Sequence, residues 1–265
     1  MRNQWVTCRL IRIRSCKEAF ATATAIAVWA AANPAHAAEG EVDCASDVSD
    51  QQGVTSFVSL LDGQPTDPKS PTLNLGISHM SGVTVAQPTI QIAPGSKRGL
   101  CDAVLSLVLP PLTISNGQTS IGKVIGASWE QRWQEDTSHR PTIATFVSAS
   151  VDYSGPSTLT TFQATAIVAK TLDQTVLYAN AGLSTTIGRG APGGVVPFLT
   201  LGVKWPARAD NAFVADLVMI RDAPATFELG YQFSGPFDFD IGPGFSVTLE
   251  RKPRVGIGVV IQREF

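Results

Sequence analysis

Between residues 227 and 265 apolar side chains recur at every second position. Phe227, Leu229, Tyr231 and Phe233 alternate with Glu228, Gly230, Gln232 and Ser234. After the turn Ser234-Gly235-Pro236, the residues Phe237, Phe239, Ile241, Phe245, Val247 and Leu249 alternate with Asp238, Asp240, Gly242, Gly244, Ser246, Thr248 and Glu250. Arg251-Lys252-Pro253 then turns the chain into a last segment. There Val255, Ile257, Val259, Ile261 and Phe265 share one face, interrupted by Arg263, and Arg254 opens the other. A strand has a period of two, so these are three strands with one greasy side and one side of polar or small residues.

The same alternation recurs upstream. Leu199, Leu201, Val203 and Trp205 face away from Phe198, Thr200, Gly202 and Lys204. Phe213, Ala215, Leu217 and Met219 leave Asp216 on the other side, between Val214 and Val218. Tyr178, Asn180, Gly182 and Ser184 oppose Leu177, Ala179, Ala181 and Leu183, while Ser128, Glu130 and Arg132 oppose Ile125, Ala127, Trp129 and Trp133. Further strands are expected over 54–61, 72–80, 83–93, 100–109, 140–152 and 158–170. That makes about thirteen segments, and a single-chain bacterial barrel takes an even number. Twelve spanning strands are therefore expected, with one early segment not spanning.

A soluble β-sandwich or lipocalin-like fold accounts for any one of these strands, because it buries one face and wets the other. The set argues for a transmembrane antiparallel up-and-down β-barrel instead. Segments of roughly 10–14 residues exceed the usual five or six of a globular sheet and match a tilted strand crossing the hydrocarbon. A closed barrel also satisfies every backbone group, with apolar residues outside and polar ones inside. No segment after residue 37 has the roughly 20 consecutive apolar residues of a spanning helix.

The amino terminus reads differently. Arg2, Arg9, Arg12, Arg14 and Lys17 precede an uncharged, alanine-rich run that closes on Ala35-His36-Ala37, a small-x-small cleavage pattern. Residues 1–37 are expected to be a signal peptide and 38–265 the barrel, with 38–53 and 62–71 as irregular lead-in and loop. The leader takes five of the 20 basic residues and one of the 22 acidic ones, leaving 15 against 21. That balance argues against nucleic acid as a partner. Cys44 and Cys101 remain in an oxidising compartment, where a disulfide between them is expected. His79 and His139 stand far apart, and no metal or cofactor pattern is present.

The segments RPTIATFVSASVD, TVLYANAGLS and FVADLV, followed by FELGYQFSGPFDFDIGPGFSVT and the closing strand, resemble in order an outer-membrane family associated with the meta-cleavage pathway of phenol degradation. The matching positions are Pro141, Asn180, Gly182, Asp216, Gly230, Tyr231, Gly242, Gly244 and Phe265. Asp216 stands where the family usually has Glu, and DYSGPS replaces the expected turn after the first of these strands. The resemblance covers about residues 120–265 and its motifs are mostly those of barrels at large. It implies a passive channel or transporter-like protein of the Gram-negative outer membrane, with hydrophobic or aromatic small molecules as conceivable cargo.

On the barrel reading Glu130, Arg132, Tyr178, Asn180, Lys204, Asp216, Glu228, Asp238, Asp240, Glu250 and Arg254 are expected to line the lumen, since charge facing lipid is costly. For each residue the alternative is a closed network of carboxylates with Arg and Lys, which makes a plugged structural or adhesive barrel. Phe265 is expected to be an assembly signal read by the barrel assembly machinery, though Arg263 departs from the apolar residue usual at its position. The remaining partners expected are outer-membrane lipid and a small-molecule solute. A lipid-modifying enzyme would need a Ser activated by His. Ser138-His139 and Ser78-His79 are sequence neighbours, which on a strand point to opposite faces, so no enzyme is expected. GQTSIGK at 117–123 only superficially resembles a phosphate-binding loop.

Overall fold

The computed structural model describes residues 71–92, 103–155, 157–191, 193–208, 211–235 and 239–264. Among these there is no helix. The strands are β1 (Thr72–Met80), β2 (Val83–Ile92), β3 (Ala103–Val108), β4 (Leu112–Ser115), β5 (Gln118–Ile121), β6 (Val124–Gln134) and β7 (Thr142–Asp152). They continue as β8 (Leu159–Leu172), β9 (Thr175–Ile187), β10 (Val195–Arg208), β11 (Asn211–Ile220), β12 (Thr226–Ser234), β13 (Phe239–Thr248) and β14 (Val255–Glu264).

Neighbours in sequence pair antiparallel, and β1 pairs with both β2 and β14, so the sheet closes on itself. β3 and β4 both pair with β2 and form one stave broken at Leu109-Pro110-Pro111. β5 and β6 form the next, joined through Gly122-Lys123. The barrel therefore has twelve staves, the number expected from the alternation. The predicted segment 54–61 lies outside the described residues, as do the leader, the lead-in before Pro71, Cys44, Cys101, Asp238 and Phe265.

Tight turns set the register. Ser81-Gly82 and Asn116-Gly117 both hold two successive residues at positive φ, from 51° to 80°. That geometry matches the twist of a two-residue hairpin, and Gly adopts it without steric cost.

Burial is inverted relative to a soluble domain. The buried set holds thirteen polar residues, including Asn180, Thr200, Asp216 and Glu228, against nine apolar ones, five of which are alanine. Large apolar side chains such as Val147, Phe162, Leu177, Leu201, Phe245 and Ile257 are exposed instead. A soluble sandwich would cover the Phe227–Leu249 face with a second sheet; here a single closed sheet leaves that face outward. The hydrophobic effect then favours lipid, not water, around this wall.

The outer wall carries aromatic residues near the end of the barrel at which β14 terminates. Trp205 stacks on Phe213 with centroids 5.5 Å apart, Phe213 meets Tyr231 at 4.8 Å, and Tyr231 meets Phe233 at 5.9 Å. The Tyr231 hydroxyl accepts from Asn211 Nδ2 at 2.8 Å, and Trp133 Nε1 donates to Thr145 Oγ1 at 2.8 Å. Amphipathic rings at this level form the girdle of a membrane interface. Arg263 also faces outward there, with its guanidinium 5.0 Å from the centre of the Phe239 ring. A cation at a strand end reaches the interface and avoids the hydrocarbon.

Candidate functional site: the inner wall of the barrel

Strand parity decides which side chains face inward, and register decides which of them meet. Direct cross-strand partners run Tyr178–Gly202–Asp216–Glu228–Ser246–Gly256–Met80 from β9 round to β1. Asp216 and Glu228 are thus adjacent carboxylates, with Gly202 beside the one and the small Ser246 beside the other. One step along the strands, Asn180 stands opposite Thr200. One step in the other direction, Lys204 lies between Val176 and Val214 in the register, diagonal to Asp216.

This polar patch is shielded from solvent. Asn180 and Thr200 are each 1% exposed, Asp216 3% and Glu228 5%. Tyr178 packs with Ala169, Val176 and Val214 beside it, forming a small apolar cluster on the inner wall. The Phe198 ring lies over Gly182, where any Cβ would come within 2.4 Å of Cζ. Five of the expected lumen residues, Tyr178, Asn180, Lys204, Asp216 and Glu228, therefore gather on one wall.

Glu130 and Arg132 face inward from β6, paired in register with Phe146 and Ala144. Their stave is the fourth of twelve, and β11 and β12 are the ninth and tenth. The Glu130–Arg132 pair thus looks across the barrel at the acidic patch. Asp240 faces inward at the β12–β13 end, where Ser234 Oγ donates to its Oδ1 at 2.9 Å.

One expectation is corrected. Glu250 and Arg254 do not line the wall: they sit in the β13–β14 connection, where Arg254 Nε meets Glu250 Oε1 at 3.1 Å. The alternation runs on to Glu250 in sequence, but Thr248 Oγ1 donates to the Glu250 carboxylate and accepts from the Arg254 backbone N–H, curling the chain out of the sheet. Gln118–Ile121, part of the segment that superficially resembles a phosphate-binding loop, is strand β5.

Several inward residues were not singled out from sequence. Asn74, Gln87, Gln163, Gln232 and Gln262 all face the interior and add amide groups to the carboxylates and cations. The same alternation that marked Glu228 would have found Gln232 four residues on. No group of three His, Cys, Asp or Glu side chains that could hold a metal occurs among the described residues.

No family model matches the chain, and no curated protein matches it. Solved structures with a similar course of the chain include porins and an autotransporter translocator domain. The KdgM porin in complex with disordered oligogalacturonate is 13% identical, with a TM-score of 0.47 over 73% of this chain and 99% of that one. The NanC porin is 7% identical, with a TM-score of 0.49 over 73% of this chain and 100% of that one. The translocator domain of the autotransporter NalP from Neisseria meningitidis is 11% identical, with a TM-score of 0.45 over 74% of this chain and 86% of that one.

Proposed function

We propose that this chain is an outer-membrane channel or transporter-like protein of a Gram-negative bacterium, passing small molecules passively along its lumen. One observation carries the reading: a closed twelve-stave sheet holds its large apolar side chains outward and Glu130, Arg132, Lys204, Asp216, Glu228 and Asp240 inward. In lipid that arrangement is stable only as a spanning wall around a polar interior. Twelve staves also enclose more space than the eight whose interior side chains fill completely. The family resemblance favours hydrophobic or aromatic cargo, delivery by the barrel assembly machinery through Phe265, and no enzymatic activity.

The deep burial of Asp216 and Glu228 favours a second reading, a barrel whose interior is closed at that level and whose role is structural or adhesive. Planar-bilayer conductance of the refolded chain from Ala38 to Phe265 separates the two. Discrete conductance steps support the channel. A folded, heat-modifiable barrel that never conducts would falsify the open pore.

A further inference from the structure

We propose that the seam between β2 and the β3–β4 stave is a lateral portal, through which a small apolar molecule passes between the barrel interior and the surrounding lipid. The proposal rests on the channel reading and deepens it by naming a cargo class and a route.

The seam lies in an uncharged part of the wall. No Asp, Glu, Lys or Arg occurs from residue 72 to 92 or from 103 to 122. The inward charges Glu130, Arg132, Lys204, Asp216, Glu228 and Asp240 all stand on later strands. A molecule crossing at β2 therefore strips water from no ion, which is the costly step in moving anything through a charged wall.

The outer face of the wall is apolar here and the inner face is uncharged. Inside, Val83 and Val85 on β2, Val108 on β3 and Met80 on β1 stand beside the neutral Gln87, Thr89, Thr113 and Ser115. Outside, Leu107, Leu109, Leu112 and Ile121 are exposed and continue the lipid-facing surface.

The backbone ladder is also interrupted at this point. β2 pairs with β3 over four residues, from Thr89↔Val108 to Ile92↔Leu105, and with β4 over another four, from Val83↔Ser115 to Ala86↔Leu112. The register slips by one residue between the two runs. Pro88, Pro110 and Pro111 fall in the gap and have no N–H to offer a neighbour. Leu109 N–H donates to the Pro88 carbonyl at 3.1 Å. Gln87 Nε2 then donates to the carbonyls of Leu109 and Pro88, so a side chain substitutes for missing ladder bonds. By contrast β7 and β8 pair without a break from Thr142↔Ala169 to Asp152↔Leu159. Parting β2 from the β3–β4 stave thus breaks fewer backbone bonds than parting β7 from β8.

A reversible staple tests this. Ala86 and Leu112 are direct partners at the edge of the gap, so Ala86→Cys with Leu112→Cys places two thiols at cross-strand spacing, within reach of a disulfide. Ala149→Cys with Phe162→Cys supplies the same staple on the unbroken β7–β8 pair. Cells carrying the full chain in their outer membrane are exposed to 1-N-phenylnaphthylamine, whose fluorescence rises as it reaches the lipid interior. The same variants are measured for ion conductance in planar bilayers. The expected result is that the oxidised seam staple slows dye entry to the rate of cells lacking the protein, and that dithiothreitol restores it. Conductance and the control staple's dye entry stay unchanged. Dye entry indifferent to the seam staple overturns the portal, and so does a parallel loss of dye entry and conductance, which would mean an axial route. Staple-sensitive dye entry in a protein that never conducts removes the open pore and leaves the portal standing.

Discussion

Asp216 and Glu228 stand directly opposite each other on β11 and β12, with both carboxylates turned into the barrel. Like charges in direct cross-strand opposition repel. The described inward side chains bring Glu130, Asp152 and Asp240 on the acidic side as well, against the cations Arg132 and Lys204. An open lumen with this excess favours cations over anions. Asp216→Asn combined with Glu228→Gln keeps the shape of the patch and removes two negative charges. The reversal potential in a potassium chloride gradient across a planar bilayer is expected to move toward anion preference. An unchanged potential would place the selectivity of the pore elsewhere.

Val147 and Ser148 give the cleanest test of which face meets lipid. They are neighbours in the middle of β7; Val147 points outward and is 48% exposed, while Ser148 points inward opposite Ser128 and Gln163. Val147→Lys sets a charge against the hydrocarbon and is expected to destabilise the refolded barrel by about 2–4 kcal/mol at the bilayer midplane. Ser148→Lys sets the same charge among polar groups, and a much smaller loss is expected. Denaturant titration in lipid vesicles reads both. Equal costs at the two positions would contradict a lipid-facing outer wall.

Much of this wall was legible in the sequence because parity is a local property. Thr175–Ile187, Asn211–Ile220 and Phe227–Ser234 alternate so that their faces follow from a period of two, and with them the inward placement of Asn180, Asp216 and Glu228. What local alternation does not supply is register across a turn. That Asp216 meets Glu228, and that Asn180 meets Thr200, depends on how residues 221–225 and 188–194 close their loops. The β3–β4 stave was harder for a different reason. Pro110-Pro111 reads as the end of a strand, yet the stave resumes after a slip of one residue and turns back through Asn116-Gly117. Glu250 misled in the opposite direction, because its alternation outlasts its sheet.

Asp136, in the connection after β6, ties that loop to β8. Its carboxylate accepts from Lys170 Nζ at 2.8 Å and from the Thr171 backbone N–H at 2.7 Å. Lys170 also donates to the carbonyls of Thr137 and Arg140. Burial alone would raise the Asp136 carboxyl, but the hydrogen bonds from Lys170 and Thr171, with the Lys170 charge, outweigh it and hold the group below its ordinary 3.8. A depressed folded value contributes stability that is complete above the unfolded value and is lost as pH falls through the folded one. Asp136→Asn is therefore expected to cost about 1–2 kcal/mol at neutral pH. The deficit against the parent should shrink once pH drops below 3.8 and vanish when the parent's own carboxyl protonates. Denaturation midpoints across that acidic range check the sign, and a deficit that grows on acidification would refute the assignment.

Gly182 and Phe198 are direct partners on β9 and β10, and the phenyl ring occupies the space that a side chain at 182 would need. A Cβ there would lie 2.4 Å from Phe198 Cζ and 2.5 Å from the Ala164 carbonyl oxygen. The ring can rotate away, but the carbonyl belongs to the β8 ladder and cannot yield without disturbing the wall. Gly182→Ala is expected to destabilise the barrel by about 1–3 kcal/mol, the usual range for overpacking. Adding Phe198→Ala should recover only part of that loss, because it relieves the ring contact and leaves the backbone one. A double-mutant cycle on the heat-induced gel shift measures the coupling. Complete recovery would show that the ring alone sets the constraint, and no coupling at all would mean that the ring does not lie over Gly182.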